Sequence, residues 1–167
     1  LEEGLARLAG AVGRDRVRLA LPALTRKWEE ADIRRKVAAL SGAGWRKWEA
    51  ANIAAWRFLG LSAPSPCPLP QGERGVDLAT DWSVYVVNRV AAQQVLEMGA
   101  TRFALSPEDG LENMRSLVGR FGRRATVIVY QDTPQFLAES CAYANLIGGC
   151  PGKGNCRFES MALESDD

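Results

Sequence analysis

The sequence predicts an α/β fold built on a parallel sheet. Short apolar runs alternate with longer segments of helical periodicity, at intervals of about 25 residues, which is the rhythm of right-handed βαβ units. Ala125–Tyr130 (Ala-Thr-Val-Ile-Val-Tyr) is a continuous, β-branched run of the kind found in strands buried on both faces. Polar residues gather where the candidate strands end: Glu49 and Asn52, Asp81 and Asn88, Ser106 and Glu108, Gln131 and Asp132. In parallel α/β folds those ends share one face, where active sites are built. Five candidate strands allow an open doubly wound sheet or part of an eight-stranded barrel.

Taken in order, Leu1, Leu5, Leu8 and Val12 are spaced as one face of a helix over 1–12. Arg16–Leu21 alternates basic and apolar residues and reads as a strand stopped by Pro22. Ile33, Val37 and Leu40 define a helix over Trp28–Leu40, which the Ser41-Gly42-Ala43-Gly44 run ends. A second strand, Trp45–Ala50, leads into a helix over Asn52–Leu59. Residues 62–75 hold four prolines and two glycines, so they form an extended loop inserted between units, with Cys67 as an exposed thiol. Strands follow at Val76–Thr80 and Thr101–Leu105, separated by a helix over Arg89–Met98 that Gly99 stops. A helix over Asp109–Phe121 is expected to turn Leu111, Met114, Leu117 and Val118 inward, with Asp109 as its cap.

The composition is that of a globular chain, with 47% apolar and 25% charged residues supporting a single domain over 1–167. Beginning at Leu1, the chain reads as a segment of something longer. It shows no basic-then-apolar leader and no apolar run long enough for a membrane span, which points to the cytoplasm. Histidine is absent, so Ser-His-Asp and Cys-His catalysis and HExxH zinc sites would need a histidine from elsewhere. Neither G-x-G-x-x-G nor G-x-x-x-x-G-K-[ST] occurs, which removes the support for a nucleotide-binding loop. The net charge is +1, yet Arg14, Arg16, Arg18, Arg26, Lys27, Arg34, Arg35, Lys36, Arg46 and Lys47 crowd the first third. They form a phosphate-contacting face or the solvated sides of helices.

The chemistry concentrates in a Cys-rich segment, 139–160. Cys141, Cys150 and Cys156 are separated by eight and five residues, and the glycines and proline between them let the later two turn toward one centre. Cys141 falls where a short helix begins or passes. Three soft thiolates suit an iron–sulfur cluster or zinc; a disulfide or buried thiols are the alternatives. Glu49 and Glu108 are the candidate catalytic residues, because a carboxylate ending an apolar strand is costly without a purpose or partner. Asn52, Asn88 and Asp132 are candidate substrate-binding residues beside them.

Trp48-Glu49-Ala50-Ala51-Asn52, Val86-Val87-Asn88, Ala104-Leu105-Ser106-Pro107-Glu108, Val127-Ile128-Val129-Tyr130, Glu139-Ser140-Cys141 and Gly149-Cys150-Pro151 follow one another in an order that resembles the collagenase-like peptidase family U-32. The resemblance covers most of 16–160 and is strongest to the C-terminal barrel portion of the long members. It implies a partial (βα) TIM-type barrel with parallel strands, and a [4Fe-4S] cluster on Cys141, Cys150 and Cys156. The family's fourth cysteine lies further downstream than this chain extends; zinc is the alternative metal. It also implies oxygen-independent hydroxylation of an RNA base or an aromatic metabolite. The other readings are proteolysis, with Glu139 as base beside a metal, and a non-catalytic barrel segment serving as a binding or assembly module. Tyr130-Gln131 stands where many members carry His-Gly. The partners implied are the rest of the barrel or a homologous subunit, with no membrane.

Overall fold

A computed structural model describes residues 2–61, 75–131, 141–150, 152 and 154–156 of the chain. Two compact units are present, Leu1–Val129 and Tyr130–Asp167. In the first, the order is α1 (Glu2–Val12), β1 (Leu19–Ala20), α2 (Glu30–Gly42), β2 (Lys47–Ala50), α3 (Ala54–Phe58), β3 (Asp77–Thr80), α4 (Arg89–Glu97), β4 (Arg102–Ala104), α5 (Leu111–Phe121) and β5 (Ala125–Thr126). The second contains α6 (Ala142–Ile147). The inserted loop expected over 62–75 falls, apart from Gly75, outside the described residues, and Cys67 with it.

The five strands form one parallel sheet in the order β1-β2-β3-β4-β5. Each crossover moves one strand further in the same direction, so right-handed connections place the helices on one face. A doubly wound sheet reverses its strand order at a switch point, and no reversal occurs among these strands.

Burial follows from that order. Register pairs Trp48 with Leu78, Ala50 with Thr80, and Thr80 with Phe103, so these residues share a face. Trp48, Leu78 and Phe103 are fully buried in one core with Val37, Trp56, Val95, Leu96 and Leu117 from the helices. Trp56 Nε1 donates to the Met98 carbonyl at 2.8 Å, tying α3 to the end of α4. Phe121 meets Phe103 edge-on, with ring centroids 5.4 Å apart. The stop after α2 is as expected: Gly44 takes a φ of +92° and Trp45 N–H bonds back to the Leu40 carbonyl.

Three expectations fail here for identifiable reasons. Only Ala125 and Thr126 of the apolar run pair with β4, and Val127, Val129 and Tyr130 are 48%, 94% and 84% exposed. The run outlasts β4 and stands at the edge of the described sheet, so only Ala125 and Ile128 are partly covered. On α5, Leu117 is buried and Met114 partly so, but Leu111 and Val118 face outward. Leu111 and Val118 are seven residues apart and share a stripe turned away from the Met114–Leu117–Phe121 stripe that packs on the core. Asp109 does not cap α5. The cap position is Gly110, while Asp109 N–H closes a turn onto the Ser106 carbonyl and its Oδ2 accepts from Asn113 Nδ2 at 2.6 Å.

Two truncations separate the stripes of α5. Leu117→Ala should cost about 2–5 kcal/mol in urea unfolding, whereas Leu111→Ala should stay within about 0.5 kcal/mol of the parent.

Candidate functional site

The sheet face away from the core is polar. Alternation along the strands puts Arg18, Lys47, Glu49, Asp77, Asp81 and Arg102 on it, with Ala20, Ala79 and Ala104 between them. Arg18 crosses two strands: its Nη1 donates to the Trp48 and Asp77 carbonyls and its Nη2 to Asp77 Oδ2, each at 2.8 Å. Thr101 Oγ1 also donates to Asp77. Burial alone would push the Asp77 carboxyl up, but these two hydrogen bonds and the charges of Arg18 and Arg102 outweigh it and hold the group below its ordinary value.

Glu49 lies half-buried one step further along the strands, in register with Ala20 and Ala79. Burial, then the negative charge of Asp81, raises its carboxyl above the usual range, with Arg18 opposing. A carboxyl so placed is biased toward its protonated form and suits proton transfer better than an exposed one. Asp81 itself caps the short turn Trp82–Val84, accepting from Trp82 N–H at 2.7 Å. Ser83 Oγ stands 2.8 Å from the Ala51 carbonyl and 3.1 Å from Asp81 Oδ2, so its one proton is shared between the ends of β2 and β3.

Glu108 is exposed and accepts a hydrogen bond from the Tyr85 hydroxyl. Tyr85 follows the same short turn and has a φ of +59°, the one non-glycine residue in the left-handed region among the described residues. A tyrosine held there is strained, and such strain concentrates at functional positions. The bond to Glu108, assisted by the carboxylate's charge, raises the phenol above its ordinary value. An isolated parallel bridge between Val86 and Leu105 locks the two segments that carry Tyr85 and Glu108.

Asn52 and Asn88 have scaffolding bonds. Asn52 Nδ2 donates to the Pro22 and Ala23 carbonyls at 3.0 and 2.7 Å, and its Oδ1 accepts from Ala54 N–H, so it staples the loop after β1 to the loop after β2. Asn88 caps α4 by accepting from Ala91 N–H at 2.8 Å. Asp132 and Glu139 lie outside the described residues. Arg18, Asp77 and Tyr85 were not singled out from the sequence as members of the site; only strand register and the left-handed turn reveal them.

In the second unit none of Cys141, Cys150 and Cys156 is in a disulfide. Cys141 stands at the start of α6, where its Sγ accepts from Ala144 N–H at 3.4 Å. Gly148, with a φ of +83°, closes the helix, and Gly149 N–H bonds back to the Ala144 carbonyl. Cys150 is exposed and Cys156 half-buried. Cysteine sulfurs are the right donors for iron or zinc. Among the described residues, however, no group of three or more Cys, Asp or Glu side chains is gathered as a metal shell. No described helix is long and apolar enough to cross a membrane.

Comparisons with protein-family models, with curated proteins and with solved structures found no match.

The raised Glu49 carboxyl has a signed consequence. Between the ordinary carboxylate value and the raised one, the folded state holds more protons than the unfolded state, so stability falls as pH rises through that window. Glu49→Gln removes the charge and with it this penalty. In urea titrations the variant should gain on the parent as pH rises to neutrality, and the gain should vanish below the ordinary carboxylate range.

Proposed function

We propose that this chain is part of a TIM-type barrel related to the U-32 family, and that it carries an iron–sulfur cluster serving oxygen-independent hydroxylation of an RNA base or an aromatic metabolite. The observation that carries the reading is the thiol segment: Cys141, Cys150 and Cys156 fall within sixteen residues around one short helix, with Cys141 Sγ already accepting a backbone N–H. Hydrogen bonds of that kind stabilise a cluster's thiolates and tune its potential. The consecutive parallel order supports the barrel, since barrel strands follow one another around the ring in this way.

Cys141, Cys150 and Cys156 would hold the cluster, with a fourth ligand from beyond this chain, and the cluster would supply the redox chemistry. The first unit offers acid–base and binding groups of its own. Glu49, biased toward its protonated form, would hand a proton to substrate or take one from it. Tyr85 would offer an exposed ring to a planar substrate, while Glu108 would accept from its N–H or O–H groups. Arg18 and Asp77 would keep the polar face in register beneath them.

Anaerobic reconstitution with ferrous iron and sulfide should give a brown protein containing acid-labile sulfide. Cys141→Ser, Cys150→Ser and Cys156→Ser should each lose most of the iron and the colour. A colourless protein that takes up zinc and no sulfide would refute the cluster and favour the zinc alternative.

A further inference from the structure

Strand register lays one row of residues across the polar face. Ala20 pairs with Glu49, Glu49 with Ala79, and Ala79 with Arg102. Phe103 pairs with Ala125, which sets Arg124 beside Arg102 at the end of the row. The next row toward the carboxyl ends holds Asp81 and Ala104. The face is therefore acidic on β2 and β3 and basic on β4 and β5. Two strand spacings, roughly 10 Å, separate the backbones of Glu49 and Arg102, and in the row the methyl of Ala79 alone stands between them.

The charged members of the row lack partners. Arg102 and Arg124 are exposed, and neither has an ion pair among the described residues. The half-buried Glu49 carboxyl has neither an ion pair nor a hydrogen bond among them. The other cations on this face do not fill the gap. Arg18 spends its hydrogen bonds on Asp77 and two carbonyls, and Lys47 lies one row back, level with Asp77. The charge of Arg102 reaches Asp77 as well, but Arg18 and Thr101 already hold that carboxylate. Like charges side by side on adjacent strands work against their pairing. A half-buried carboxyl without a hydrogen bond is also costly. A molecule carrying an anion at one end and an ammonium at the other relieves both.

We propose that the polar face binds an amino acid zwitterion whose amine and carboxylate stand several carbons apart, its carboxylate on Arg102 and Arg124 and its ammonium on Glu49 and Asp81. Guanidinium forks take a carboxylate through parallel N–H···O bonds. At the other end Asp81 supplies a second negative charge, strong enough to oppose the ionisation of Glu49, and an ammonium answers both. A polyanion would bring its charge against these two carboxyls, and a bare metal cation would meet the two guanidinium groups. The separation across Ala79 sets the length: an α-amino acid, with its charges on neighbouring atoms, spans too little of it. The inference is separate from the cluster chemistry, because it uses no residue of the thiol segment and is read as binding by the iron-free chain.

Isothermal titration calorimetry of the full chain with ε-aminocaproate provides the test. The parent should bind it about tenfold or more tightly than caproate, hexylamine or glycine, which lack one charge or the separation. Arg102→Gln and Arg124→Gln should each weaken it by about tenfold or more. Glu49→Gln should remove most of its advantage over caproate, while caproate itself binds at least as well as to the parent. Arg35→Gln, on the exposed flank of α2 and paired with Asp32, should stay within about twofold of the parent. Far-UV circular dichroism identifies folded variants; if Arg102→Gln unfolds, Arg124→Gln, at the entry to β5, should still show the loss. No binding of ε-aminocaproate by the parent, equally tight binding of caproate, hexylamine or glycine, or an equal loss in Arg35→Gln would each overturn the proposal.

Discussion

Each strand gives one face to a shared apolar core and the other to charge. Trp48, Leu78 and Phe103 lie side by side through the register of β2, β3 and β4, and the helices close over them. The same alternation leaves Arg18, Glu49, Asp77 and Asp81 on the opposite face. The consecutive strand order makes this possible: right-handed crossovers between such strands fall on one side, and among the described residues no second layer of helices covers the polar face. Slipping β2 by one residue would drive Glu49 into the core and Trp48 out of it, so the site and the core share one register.

Charge on that face is graded along the strands. Near the amino ends Asp77 is neutralised by Arg18 and Thr101, and its lowered carboxyl adds stability that is lost as acid protonates it. Further along, Glu49 faces Asp81 with less compensation, and its carboxyl is raised. The two carboxylates therefore differ in environment: one is tied across the strands by Arg18, the other is less compensated. The thiol segment is a separate unit, with its own short helix setting Cys141 at an N–H-rich start.

The α/β class, the element order and most helix limits were legible because hydrophobic periodicity and glycine stops act locally. Arg89–Glu97 ends against Gly99, as the spacing predicts, and Glu30–Gly42 runs two residues past the expected Leu40 before Gly44 stops it. The failures have both non-local and local causes. Ala125–Tyr130 has the composition of a buried strand, but burial depends on neighbours, and this run stands at an edge. Asp109 had the chemistry of a cap and lost the place because the Ser106 turn claimed its backbone. Glu49 stands out in the sequence because a carboxylate ending an apolar strand is conspicuous, and it lies half-buried. Tyr85 does not stand out, since nothing in Ser83-Val84-Tyr85 announces a left-handed tyrosine.

The one-sided sheet is tested most directly by hydrogen exchange on the full chain, read residue by residue. The amides of Leu78, Ala79 and Thr80 in the central strand should exchange slowest, and those of Val127 and Val129 should exchange near the rate of exposed backbone. Protection extending evenly from Ala125 through Val129, as deep as in β3, would mean that the edge is covered and would contradict the account.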